Sequence, residues 1–236
     1  VTAFRHSPAM QSLIRGSDRV LIEVDDTFLN KLGFTREEVV GKAAPELNFW
    51  VDPAELTGFA QEVETKGFVL SREVRLRARD GRTLTVLLST QPVDIGGVPH
   101  FLSAGVDITA RKESEARFNA AFHNSPVIQS VIRFPSAQIV EVNDTFMKIM
   151  GYSREEVIGK TPFDLNFWTD TQKVQAYRAR LFAEGFVRDY EMQIRPRNGS
   201  LRTILLSSQM VDIQGEPHSI TAAVDITVLR EAEAEL

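Results

Sequence analysis

Residues 36–50, REEVVGKAAPELNFW, return at 154–168 as REEVIGKTPFDLNFW. Gly33 and Gly151, Trp50 and Trp168, and Asp107 and Asp225 all stand 118 residues apart, so the copies align without insertion or deletion. Solenoid units repeat every ~20 to 50 residues, whereas a unit of this length can close a core of its own. The chain is therefore expected to hold two complete domains in tandem.

Composition agrees, since 43% hydrophobic and 25% charged residues in 236 positions are ordinary for folded globular protein. A formal charge of -5 without a basic run argues against nucleic acid or an anionic membrane surface as partner. No stretch reaches the roughly 18 apolar residues that span a bilayer, so a soluble, cytoplasmic segment is expected. The absence of cysteine removes disulfides, thiolate nucleophiles and cysteine-bound clusters. Because it opens on Val1 and stops within a helical pattern at Leu236, the sequence reads as an excised piece of a longer protein.

Within each copy the hydrophobic period changes twice. MQSLIR and VLIEV read as two strands around Gly16-Ser17-Asp18. Asp25 or Asp26 then caps a short helix carrying Phe28, Leu29 and Leu32 that Gly33 ends, and Asn143 to Gly151 repeats the pattern. Thr35 with Glu38, and Ser153 with Glu156, have capping-box spacing. Asp52-Pro53 opens a longer helix with Leu56, Phe59, Ala60 and Val63 on one stripe, matched by Val174, Tyr177 and Leu181. Three alternating runs follow, and Asp80-Gly81 and Asn198-Gly199 predict type I′ turns between the first two. The fold class is α+β: two domains, each a five-stranded antiparallel sheet with short helices on one face, joined by a helix. The expected boundaries are 1–109, a helical linker at 110–124, 125–227, and a C-terminal signalling helix from 228 to 236.

EVDDTFLNKLGFTREEVVGK, its copy EVNDTFMKIMGYSREEVIGK, and VDIT before a charged helix at 106–109 and 224–227 resemble the PAS sensor domain, especially its S-box form. The resemblance implies a ligand space between sheet and helices and a signal passed to an output domain. On that basis the ligand-pocket candidates are Phe28, Leu56, Phe59, Arg72, Val74, Val86, Leu88 and Thr90, with Phe146, Val174, Tyr177, Tyr190, Met192, Ile204, Leu206 and Ser208 in the second copy. Asp107, Thr109, Asp225 and Thr227 are the candidates for signal transmission, either by tying sheet to helix or simply as caps.

The cofactors of PAS relatives can be tested by residue type. A covalent flavin adduct is excluded without cysteine. Neither long helix holds a histidine for haem iron, and Arg72, placed like a ligand-gating arginine, is replaced by Tyr190. Non-covalent flavin at Trp50, Asn48, Trp168 and Asn166, or another small organic ligand, is compatible with the sequence, although these residues also read as core and turn. His100 and His218 read as solvent-facing turn residues without further ligands, so no metal site is expected. His6 and His123 lack the setting of a phosphoacceptor, and no catalytic motif emerges, so this fragment is not expected to be an enzyme.

Residues 53–66 and 171–184 share no identity although the apolar stripe persists. Different ligands in the two domains and drift on a solvated face explain this equally. ARKESEARFNAAFHNSP reads as a connecting helix with Phe118, Ala121 and Phe122 on one side, and Val228, Leu229 and Leu236 as seam candidates in the next one. The whole reads as a homodimeric, cytoplasmic sensory region controlling an output absent from this chain, such as a histidine kinase or cyclic-dinucleotide enzyme. The alternative is a dimerisation or spacer module whose cores are filled by their own side chains.

Overall fold

The computed structural model describes residues 7–235, so the expectations for His6 and Leu236 lie outside it. The chain divides into two compact units between residues 115 and 116.

In the first unit, β1 (Met10–Arg15) and β2 (Leu21–Val24) lead into helices α1 (Asp26–Leu32), α2 (Arg36–Val39), a 3-10 turn (Ala44–Leu47) and α3 (Pro53–Lys66). Strands β3 (Val69–Arg77), β4 (Thr83–Ile95) and β5 (Val98–Asp107) complete one antiparallel sheet in the order β2-β1-β5-β4-β3. Helix α4 (Thr109–His123) follows. The second unit repeats the order with β6 (Ile128–Arg133), β7 (Gln138–Val142), α5 (Asp144–Met150), α6 (Arg154–Val157), α7 (Thr171–Glu184), β8 (Phe186–Ile194), β9 (Arg202–Ile213) and β10 (Glu216–Asp225). Helix α8 (Thr227–Ala234) ends the described chain.

Local chemistry sets the helix ends. Asp25 accepts from Phe28 N at 2.7 Å and Asn143 from Phe146 N at 2.9 Å, each satisfying a first-turn N–H. Thr35 N donates to Glu38 at 2.9 Å, as Ser153 N does to Glu156. Asp52 accepts from Ala54 N at the start of α3, where Pro53 needs no donor partner.

The hairpin turns differ from expectation. Gly81 and Gly199 have positive φ, but Asp80 and Asn198 do not, so these loops are not type I′. Gly81 N donates to Ala78 O and Ala78 N to Arg82 O, giving a wider loop closed by a left-handed glycine. Both central residues are left-handed in the following turns instead, at Gly96-Gly97 and Gln214-Gly215, so the type I′ signature belongs there.

Pleating fixes the faces as the alternation implied. Val86 and Thr90 on β4, and Ile204, Leu206 and Ser208 on β9, are buried against the helices, with Leu88 half-buried beside them. Leu87 and Leu205 point to the outer face and are also half-buried. Their cross-strand neighbours Glu73 and Glu191 pair with Lys112 at 2.8 Å and Arg230 at 2.5 Å, which brings each exit helix to that face. On α4, Phe122 is buried and Phe118 exposed with their rings stacked, while Val228 and Leu229 on α8 are exposed. Among the described residues, no helix is long and apolar enough to cross a membrane.

Candidate functional site

A cavity of about 310 Å³ lies within the first unit, between the inner face of the sheet and its helices. That volume is at the small end of the roughly 300–1,000 Å³ typical of ligand sites. Helix α3 contributes Leu56, Phe59, Ala60 and Val63, whose spacing puts them on one stripe, and α1 contributes Phe28. Val86, Leu88 and Thr90 line it from β4. On β5, Gly105 leaves room for Val86: an added Cβ would come 2.8 Å from its Cγ1.

The sheet register places a polar row in this apolar space. Ser12 pairs with Ser103, and Ser103 with Thr90, across three adjacent strands. All three side chains are buried and line the cavity, and Thr90 Oγ1 and Ser103 Oγ are 2.7 Å apart. Arg19 and Glu64, which form an exposed ion pair between the β1–β2 turn and α3, also line it and mark its mouth.

In the second unit the corresponding space is packed by side chains. Tyr177, at the position of Phe59, donates its hydroxyl hydrogen to Ser208 Oγ at 2.6 Å, and Ser208 Oγ is 2.7 Å from Thr221 Oγ1. Burial pushes the Tyr177 phenol above its ordinary pKa, keeping it a neutral donor. Leu181 and Ala223 stand where the first unit has Val63 and Gly105, and both are buried. At the mouth, Phe134 and Phe182 replace Gly16 and Glu64 and meet edge-to-face with centroids 4.9 Å apart, with Arg178 over the Phe134 ring.

The candidates therefore divide. Phe28, Leu56, Phe59, Val86, Leu88 and Thr90 line the first cavity, but Arg72 and Val74 do not. Arg72 sits near the edge of the sheet and pairs with Glu62 on α3 at 3.0 Å, while Val74 is packed in the core. Phe146, Val174, Tyr177, Met192, Ile204 and Leu206 are core residues of the second unit, with Tyr190 packed against them and Ser208 bonded to Tyr177. Sequence reasoning missed Ser12 and Ser103, although alternation along MQSLI and FLSAG puts them on the inner face with Met10, Ile14, Phe101 and Gly105.

His100 and His218 are buried rather than solvent-facing, because each lies on a strand with Nδ1 held by a backbone carbonyl, of Val98 at 2.8 Å and Glu216 at 2.9 Å. No cluster of metal-ligating side chains occurs among the described residues. Asn48 and Asn166 are exposed at left-handed turns, and neither an amide side chain nor a histidine is among the residues lining the cavity, leaving Trp50 alone of the expected group.

The aspartate and threonine at each sheet exit satisfy the first backbone N–H of the exit helix and tie that helix to its sheet. Asp107 Oδ1 accepts from Thr109 N and Oγ1, while Thr109 Oγ1 accepts from Thr85 N on β4 at 2.8 Å. Asp225, Thr227 and Thr203 repeat the arrangement.

The family model described as PAS domain matches residues 12–110, and that described as PAS fold matches residues 116–225. The chain belongs to the PAS family. It carries two PAS domains in tandem, each with the five-stranded sheet and helices described above. The methyl sulfide methyltransferase-associated sensor of Methanosarcina acetivorans is 28% identical over 132 residues, which are 52% of this chain and 12% of that protein. Among solved structures, the PAS domain of an HTR-like protein from Haloarcula marismortui is 27% identical, with a TM-score of 0.41, over 50% of this chain and 95% of that one. A PAS domain from Colwellia psychrerythraea is 18% identical, with a TM-score of 0.43, over 50% and 98%.

Proposed function

We propose that this tandem PAS region is a sensory module in which the first domain receives a small molecule and the second relays the change without a ligand of its own. The observation that carries this reading is the contrast at matched positions: Phe59, Gly16 and Glu64 border an open cavity, whereas Tyr177, Phe134 and Phe182 fill and cap its counterpart. The name of the Methanosarcina relative as a sensor agrees with it. The module is cytoplasmic and homodimeric, is not itself catalytic, and acts through its exit helices on an output domain such as a histidine kinase or cyclic-dinucleotide enzyme. The competing reading, a spacer or dimerisation module, draws on the filled core of the second domain.

Native mass spectrometry of the purified protein, beside its denatured mass, separates the two. The sensory reading expects a small mass lost on denaturation, and its absence from the variant Gly16→Phe/Arg19→Ala/Glu64→Phe, which transplants the second domain's plug. Identical native and denatured masses for the unaltered protein would put the spacer reading ahead.

A further inference from the structure

We propose that the first-domain cavity takes an uncharged, mainly apolar molecule bearing one hydroxyl group, an alkylphenol or comparable alcohol, with that hydroxyl seated on Thr90 and Ser103. The proposal rests on the first domain being the receiving one and specifies what it receives.

The walls set the first requirement. Phe28, Leu56, Phe59, Val86 and Leu88 offer no partner to a charge, and the ionic groups at the mouth, Arg19 and Glu64, are already paired with each other. A buried ion without a partner is far more costly than a neutral polar group that finds one.

The hydroxyl row sets the second. Thr90 and Ser103 share one hydrogen bond, which uses one of their two protons and one of their several lone pairs. Both side chains line the cavity, so the capacity that is left is within reach of a molecule bound there. A hydroxyl, which donates and accepts, suits either orientation of the pair; a hydrocarbon leaves it unmet and a carboxylate cannot donate to it.

The second domain supplies the matching arrangement from its own chain. There Ser208 and Thr221 form the equivalent hydroxyl pair, and the phenol of Tyr177 donates to Ser208. The first domain keeps the pair but has Phe59, which has no hydroxyl, in place of Tyr177. A phenol arriving from solution would restore the missing contact.

Methyl NMR of the whole protein, titrated with 4-propylphenol, propylbenzene and 4-propylbenzoate, tests this on one scaffold with three head groups. The Val86 and Leu88 methyl signals are expected to shift with 4-propylphenol at about tenfold lower concentration than with propylbenzene, the ratio of one buried hydrogen bond. 4-Propylbenzoate should bind weakest. Thr90→Val/Ser103→Ala removes both partners while keeping similar shapes, so it should fold, retain propylbenzene and lose the preference for the phenol. Equal affinities, tightest binding of the benzoate, or a preference that survives the double variant would overturn the ligand class and leave the receiving role of the first domain standing. No shift with any probe, or shifts confined to Ile204 and Leu206, would overturn both.

Discussion

Lys31 Nζ lies 2.8 Å from Asp107 Oδ2, joining the helix that carries Phe28 to the last residue of β5. The second domain has no such link: Ile149 stands at the position of Lys31, and Asp225 pairs instead with Arg202 on β9 at 2.9 Å. In the first domain the ion pair thus ties a cavity-lining helix to the exit motif. Lys31→Met should therefore blunt the response of the full-length protein to its signal, while changing stability by less than about 1 kcal/mol because Lys31 is half exposed. Signalling assays beside denaturant midpoints check it, and an unchanged response would show that Lys31 is not on the route.

The same carboxylates make stability depend on acid. Burial works against ionisation of Asp107, but hydrogen bonds from Lys31 and Thr109 outweigh it and leave its pKa below the ordinary value. Asp225 is likewise held low, by Thr227 and Arg202 against burial. A depressed folded pKa favours the ionised form, so this contribution is present above the unfolded value of roughly 4 and is lost as pH falls through the lower folded values. Denaturant midpoints measured downward from about pH 5 should fall less steeply for Asp107→Asn/Asp225→Asn than for the unaltered protein.

Asp25 and Asn143 occupy matched caps with unequal satisfaction. Asn143 Nδ2 donates to Val127 O at 2.8 Å, whereas Asp25 Oδ2 is buried without a hydrogen-bond partner. Asp25→Asn should therefore stabilise the first domain by about 1–2 kcal/mol, by giving that position a donor for the carbonyl of Ala9, the residue matching Val127. Thermal melting checks it, and Asn143→Asp should move the second domain in the opposite direction.

In the proposed dimer, paired exit helices would form a seam that recurs about every 3.5 residues. Inserting about seven residues after Thr227 preserves its phase, whereas inserting about two rotates the downstream chain by roughly half a turn. In the full-length protein the short insertion should alter or invert signalling and the long one should be tolerated. Equal activity of the two would make the C-terminal segment a passive tether.

Much of the fold was legible because it depends on local rules. The 118-residue register, the caps at Asp25 and Asn143 and the inward set on β4 and β9 follow from period and side-chain chemistry. What the sequence hid depends on neighbours brought together by the sheet. Ser12, Ser103 and Thr90 come from three distant stretches and become one polar row only through pairing. Phe59 and Tyr177 looked interchangeable as stripe residues, yet one hydroxyl distinguishes an open cavity wall from a bonded core. His100 and His218 were misplaced because proline and glycine nearby suggested a longer turn than the two-residue one that forms.

The contrast between an open and a filled domain is tested most directly by crystals of the whole protein pressurised with xenon, which enters apolar cavities large enough to hold it. The account predicts a peak, from xenon or from a molecule retained through purification, among Phe59, Val86 and Leu88, and none among Tyr177, Leu181 and Leu206. Xenon among the second set, or neither xenon nor a retained molecule in the first, would contradict it.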